Sequence, residues 1–429
     1  MSFLRQLLYH SLEYAVGLFF LCALPCAAVW SRLAPRAAGP GGKPRILWGP
    51  VPIGGTQYYS RACRRYGYES STLMYGHYHI NKREDFDYYP ESIYPRLSRF
   101  RYFPLLSKYL CFLWTLPRYD IHFHNFDGGL LRGTPLRALE IRLRHLAGGK
   151  VVVYPYGGDA QVPRRLHDVL VKHTLMRDYP GQARSEPEVE ARLRHYTKHA
   201  DFIYASNEAV DYLPYWDFLM TQMSAFDTAA VDERVTRPGE LRGRYPDKKI
   251  VFHAPNHRRV KGTALLIEAC EELRAEGRDD FELVIYEGRP NDVILQAMYD
   301  CDIVADQFIL GSYALFALEG MALRKPVMCY LRPDLFELYS YYSWAAECPI
   351  VNTPRDRIKE TLVRLLDDPA ERERLGGEGR RYVERRHSLD AMGKVYDAII
   401  RKVWCGSDEL DAMTEFRGPV SPERGPRGG

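Results

Sequence analysis

No two cysteines stand in a C-x-x-C arrangement anywhere in the 429 residues. The nine present (Cys22, Cys26, Cys63, Cys111, Cys270, Cys301, Cys329, Cys348 and Cys405) are odd in number and scattered. They suggest neither a zinc site nor a disulfide framework, and they fit a reducing compartment. Strong net charge is also missing: 59 Lys and Arg against 55 Asp and Glu leave +4, too small a bias for a nucleic-acid partner. The glycine loop GPVPIGG (Gly49–Gly55) is not the dinucleotide G-x-G-x-x-G, and no G-x-x-x-x-G-K-[ST] occurs, so NAD enzymes and P-loop NTPases lose support. There is no internal repeat with a fixed period. What remains is 46% hydrophobic and 13% aromatic, which excludes a disordered or collagenous chain, and the length suits about two to three domains.

One long apolar run stands out. Tyr14–Trp30, YAVGLFFLCALPCAAVW, carries no charge. As a helix it is roughly 25 Å long, marginal against a hydrocarbon core of about 30 Å. Arg32, Arg36, Lys43 and Arg45 follow it and only Arg5 precedes it, so the positive-inside bias puts the bulk of the chain on the cytoplasmic side. A membrane anchor is the expectation; a cleaved signal or a buried helix are the other readings of the same run.

Beyond it, short apolar strands alternate with helices. RILWGPVPIGG, TQYYSRACRRYG and ESSTLMY make a βαβ opening, with Gly67 ending the helix. YDIHFHNF, KVVVYPY and HADFIYAS continue the strands of a first parallel sheet. A polar, Pro- and Gly-containing stretch at 226–247 predicts a linker. A second alternation follows: KKIVFHAP, the helix GTALLIEACEELRAEG closed by Gly277, FELVIYEG, DIVADQF and KPVMCYL. The expectation is α/β architecture: two Rossmann-like, doubly wound domains facing a cleft, with ligands at the C-terminal strand ends.

Three segments at such ends carry candidate chemistry. HAPNHRRVKGT (His253–Thr263) puts Arg258, Arg259 and Lys261 between a strand and a helix N-terminus, a combination suited to a diphosphate. Asp306–Val327 brings Gly311 and Ser312, small enough for close approach of a phosphate, and Glu319 on an otherwise apolar helix. A carboxylate buried there needs a cation or a pair of ligand hydroxyls such as a ribose diol. Gly54-Gly55 offers a tight turn against which a ligand can lie.

Strand–G-G–helix near the start, Lys261-Gly262-Thr263 opening a helix midway, and A-L-E-G-M-A-L-R-K-P-V late in the chain together resemble the retaining glycosyltransferases of family 4, which have the GT-B fold. The resemblance covers roughly Arg45–Val403. It implies a nucleotide-diphosphate sugar as donor, with Arg258 and Lys261 holding the diphosphate and Glu319 the ribose. Gly54, Gly55, Gly311, Ser312 and Tyr313 join them as donor-side residues. Gly311 stands where the family's E-x7-E motif has its first Glu, and Asn256 where it usually has an arginine. His122, His124 and Asp159 become acceptor-side candidates, with His124 orienting the acceptor hydroxyl. No Asp or Glu suggests itself as a nucleophile, so retention through same-face attack is expected, with Arg258, Lys261 and helix amides stabilising the departing diphosphate.

The implied layout is an anchor (1–31), an acceptor domain (32–225), a linker (226–247), a nucleotide-sugar domain (248–386), a C-terminal helix (387–404) and a disordered tail (405–429). A saccharide, lipid-linked in view of the anchor, is the expected acceptor, in a cell-surface polysaccharide or glycolipid pathway. No cofactor or metal is expected, although Asp85-Phe86-Asp87 and Asp300-Cys301-Asp302 match the D-x-D of metal-using transferases. The basic–aromatic segment Arg96–Arg118 suits either an anionic membrane surface or an ordinary packed helix. A nucleotide-sugar epimerase and a non-catalytic sugar-nucleotide-binding scaffold are the alternatives on the same fold.

Overall fold

The computed structural model describes residues 3–34, 39–78, 81–235 and 239–413. Arg36 of the charge argument, and 414–429 of the expected tail, lie outside the described residues.

Two parallel sheets form. The first has β1 (Ile46–Trp48), β2 (Ser70–Thr72), β3 (Ile121–Asn125), β4 (Lys150–Tyr154), β5 (Phe202–Ser206) and β6 (Phe218–Met220), in the order β2-β1-β3-β4-β5-β6. The second has β7 (Lys249–His253), β8 (Phe281–Ile285), β9 (Ile303–Ala305), β10 (Val327–Cys329) and β11 (Val351–Asn352), in the order β11-β10-β9-β7-β8. Both sheets reverse direction of strand addition after their first strand, between β1 and β3 and between β7 and β9. Such switch points leave a crevice at the C-terminal strand ends. The strands are short and almost wholly buried, because helices cover both faces.

Helix α1 (Phe3–Leu33) precedes the first sheet, and α2 (Thr56–Arg65) follows β1. Gly67, at φ +76°, ends α2 as its position predicts. The helix Leu389–Cys405 returns to the first lobe. Its Met392, Tyr396 and Ile399 share one core with Trp48, Phe123 and Tyr154. Gly393 permits this contact, since a Cβ there would lie 2.6 Å from the Tyr66 ring.

Two boundaries differ from the sequence expectation. The 226–247 linker is in fact built into the second lobe: Phe226, Val231, Val235 and Leu241 are buried with Ile250, Phe252 and Met321. Asp227 caps its helix Thr228–Arg234 through the Ala230 amide. Isolated apolar residues in polar sequence hid this. Part of the expected tail is likewise folded, as a helix Glu409–Met413 whose Leu410 is buried in the first core. The lobes are joined by two passages that run side by side, where Phe226 pairs with Ser388 and its amide donates to the His387 carbonyl at 2.7 Å.

Candidate functional site

The crevice between the lobes is a cavity of about 580 Å³. The first sheet supplies Gly54 and Gly55 from the β1 turn, Tyr58 and Arg61 from α2, and Ser206 to Glu208 from the end of β5. The second sheet supplies Asn256 after β7, Asn291 and Asp292 after β8, and Leu315 and Glu319 from the helix Leu315–Ala322.

Glu319 is the best-defined group. It is 6% exposed, and its Oε1 accepts from Asn291 Nδ2 at 2.8 Å. Burial pushes its carboxyl up to about 7 against the pull of that hydrogen bond. Burial, and next the Glu319 carboxylate across the cleft, also raise the Tyr58 phenol. Arg61 lies over the Tyr58 ring at 5.7 Å and has no carboxylate partner among the described residues. At the mouth Asp292 receives Lys82 from the first lobe at 3.1 Å and Arg234 Nε at 2.8 Å.

Of the predicted donor residues, Gly54, Gly55 and Glu319 line the cavity and the others fall elsewhere. Lys261 and Arg258 do not line the cavity. The Lys261 ammonium is held 2.7 Å from Asp306, whose side chain has no solvent exposure, and Arg258 pairs in a fork with Glu287 at the surface. Arg259 and the Val260 amide both donate to Asp178, at the end of the first-lobe helix Val169–Asp178, which lies over this turn. Each cation of the basic run has met a carboxylate remote in sequence.

Gly311 has φ +86°, and a Cβ there would come within 2.7 Å of Arg332 Cβ. No side chain fits where the family motif has its first Glu. Arg332 instead pairs with Asp211 at 2.6 and 2.9 Å, joining the lobes. Ser312 Oγ donates to Glu208 at 2.8 Å, so the carboxylate beside this position comes from the opposite lobe. Tyr313 is a core residue, 2% exposed, with its hydroxyl 2.8 Å from that of Tyr382.

The acceptor-side candidates are also corrected by burial. His122 and His124 lie inside the first sheet, 1% exposed, and neither lines the cavity. His122 Nε2 faces the Gly49 carbonyl at 3.2 Å. His124 Nδ1 lies 2.8 Å from the Asn125 carbonyl, and burial pushes its pKa down to about 4. Asp159 ties its own turn, accepting from the Phe126, Tyr156 and Gly157 amides. Alternation along β3 points its histidines to one buried face, which the strand pattern alone did not reveal.

The D-x-D carboxylates are engaged in structure. Asp85 accepts from the Lys82 amide, Asp87 from Arg64 and Thr72, Asp300 from the Gly239 amide, and Asp302 from Arg242 and the Ile250 amide. Among the described residues no three metal-ligating side chains cluster.

Sequence reasoning missed Glu208, Asn291, Tyr58 and Arg61. Glu208 lies two residues past the strand HADFIYAS, and Asn291 opens the helix after FELVIYEG, so the strand-end rule that selected Gly54 applies equally to them.

The class of architecture is plain: the chain has the GT-B fold. It superposes on sucrose-phosphate synthase from Thermosynechococcus elongatus with a TM-score of 0.54 at 14% identity, over 85% of this chain and 100% of that one. The UDP-forming α,α-trehalose-phosphate synthase of Burkholderia vietnamiensis gives 0.53 at 11% identity, over 83% and 99%. In sequence, the chain is similar to the α-D-kanosaminyltransferase of Streptomyces kanamyceticus, 26% identical in a 193-residue alignment that covers 39% of this chain. The match spans 50% of that curated relative's length. No family model matches the chain.

Proposed function

We propose that the protein is a glycosyltransferase that moves a sugar from a nucleotide-diphosphate donor to an acceptor bound in the inter-lobe cavity. The observation that carries this reading is the Glu319–Asn291 pair, a buried carboxylate and an amide facing open space at the second sheet's switch point. The pair lines the cavity, and together the two side chains offer acceptors and a donor to a ribose diol. The similarity to a kanosaminyltransferase, and a fold shared with two sugar-phosphate synthases, support the same class of chemistry.

On this reading Gly54 and Gly55 let the donor's phosphates or sugar lie against the backbone. Leaving-group charge falls first to Arg61, which faces the cavity, and next to Arg234, which the diphosphate must draw from Asp292. Lys261 and Arg258 contribute once the diphosphate displaces Asp306 and Glu287. The transfer proceeds with retention by same-face attack, and Glu208, beside the side-chain-free Gly311, is the carboxylate nearest the transferred sugar. The acceptor is a lipid-linked saccharide, and the enzyme works at the cytoplasmic membrane face; the apolar helix α1 supports the membrane association.

A panel of UDP-, GDP- and other nucleotide sugars tests the assignment by thermal shift. The correct donor raises the unfolding free energy by about 2.7 kcal/mol at a hundredfold excess over Kd. No stabilisation by any of them would remove the donor site. With donor and acceptor in hand, the anomeric configuration of the product, read by NMR, tests retention.

A further inference from the structure

From Gly17 to Ser31 helix α1 lies along the first lobe. Gly17, Phe20, Leu24, Ala28 and Ser31 are buried in one stripe at helical spacing. The Phe20 ring stacks on Tyr109 at 4.4 Å, on the helix Phe103–Thr115. Gly17 brings the backbone to van der Waals distance of Pro135 and the Tyr109 hydroxyl. The opposite face is apolar and open: Tyr14, Leu18 and Phe19 are 68–69% exposed and Trp30 65%.

Length decides what this face can do. A spanning helix needs about 30 Å free of protein, and the stretch of α1 long and apolar enough to supply it, Ser11–Leu33, contains the whole docked stripe. Crossing would require stripping Phe20, Leu24 and Ala28 from their partners.

The loop leading into the helix beneath α1 has the same character. Leu97, Phe100 and Tyr102 are exposed and alternate with exposed Arg96, Arg99 and Arg101. These arginines and Arg32 form no ion pair with a carboxylate among the described residues. A second copy of the chain seated here would bring arginines against arginines. An anionic lipid surface meets both the apolar side chains and their charges.

We infer that α1 and the 96–102 loop form one interfacial membrane-docking face, with α1 lying in the plane of an anionic phospholipid surface rather than crossing it. This rests on the membrane location given above and specifies how it is achieved. The lobe then stays fixed against the bilayer, with the long axis of α1 along the surface.

The purified full-length chain is mixed with phosphatidylcholine vesicles with and without phosphatidylglycerol. It should co-sediment with the anionic vesicles, and R96Q/R99Q/R101Q should lower the partition coefficient about a hundredfold, at roughly 1 kcal/mol per basic residue. Equal binding to both vesicles would overturn the proposal. In a background with Cys22, Cys26 and Cys405 changed to serine, Ser11→Cys and Leu33→Cys should both react with a membrane-impermeant maleimide added outside. Protection of the Ser11→Cys thiol alone would mean a spanning helix and overturn it. So would failure to bind vesicles with a concentration-dependent dimer, which would assign the face to a second copy. Thermal shift with nucleotide sugars on the same preparation reads the donor site independently, so failure of the docking face and failure of the transferase reading are told apart.

Discussion

Two regions of the second lobe, both at C-terminal strand ends, have opposite fates. Around Glu319 and Asn291 the polar groups face an open cavity. Around Lys261 and Gly311 every charge is already answered: Lys261 by Asp306, Arg258 by Glu287, Arg259 by Asp178, and Arg332 by Asp211. A switch-point position is therefore necessary for a site but not sufficient. What separates the two is whether carboxylates from distant sequence reach the place first. Substitutions on the closed side should cost stability, and those on the open side binding.

The largest effect is expected at Arg332. Its pair with Asp211 is nearly buried, with side chains 9% and 7% exposed, and it ties the lobes together. Arg332→Met leaves the Asp211 charge buried and unpaired, a loss of about 3–5 kcal/mol by denaturant unfolding. Asp211→Asn in the same chain should recover most of it. A loss under about 1 kcal/mol would mean that the closed side is not held by its ion pairs.

Lys261 sharpens the contrast, because the sequence makes it a ligand group and the structure gives it a partner. Lys261→Met should destabilise on the scale of about 3 kcal/mol by stranding Asp306, and adding Asp306→Asn should restore the fold. Turnover measured in the restored double variant then isolates the ligand role. Full activity there would retire Lys261 from the leaving-group machinery.

On the open side, Glu319→Ala should weaken nucleotide binding by about 1.5–3 kcal/mol, a charged hydrogen-bonding group's worth, in calorimetry. Its unfolding free energy should stay within about 1 kcal/mol of the parent, since the lost carboxylate was buried at a cost. Unchanged affinity for the donor found in the screen would dissolve the ribose assignment.

How much of this was readable beforehand follows the same division. Strand and helix runs are local, so apolar runs and terminating glycines such as Gly67 marked the two sheets directly. Glu319 was legible because a carboxylate on an apolar helix violates the pattern around it. The partners of Lys261, Arg259 and Arg332 were not, because Asp306, Asp178 and Asp211 lie 45, 81 and 121 residues away. The same holds for His122, His124 and Asp159. Their side chains looked chemical, but β3 and the turn after β4 spend them inside, where only tertiary packing shows it. Phe226 and Leu241, too sparse to make a periodic pattern, hid a folded segment in an apparent linker.

The smallest effect is a pH dependence, and its sign follows from burial. Glu319 titrates at about 7 in the fold against 4.5 for an ordinary glutamate, so between those values the folded chain holds a proton that the unfolded chain has lost. Its contribution to stability is complete below about pH 4.5 and declines as pH rises through 7. Asp159, also pushed up to about 7 by burial, adds a slope of the same sign, so only the difference from Glu319→Gln isolates the cleft residue. Ligand binding runs the other way. Ribose hydroxyls donate best to the ionised carboxylate, of which only about a tenth is present one pH unit below its pKa. Nucleotide affinity should therefore rise up to roughly tenfold from pH 6 to pH 8, beyond the rise seen with Glu319→Gln, which retains only the titration of the phosphates. Parallel pH profiles for the two proteins would place the nucleotide away from Glu319, and the open side of the lobe would lose its distinction from the closed one.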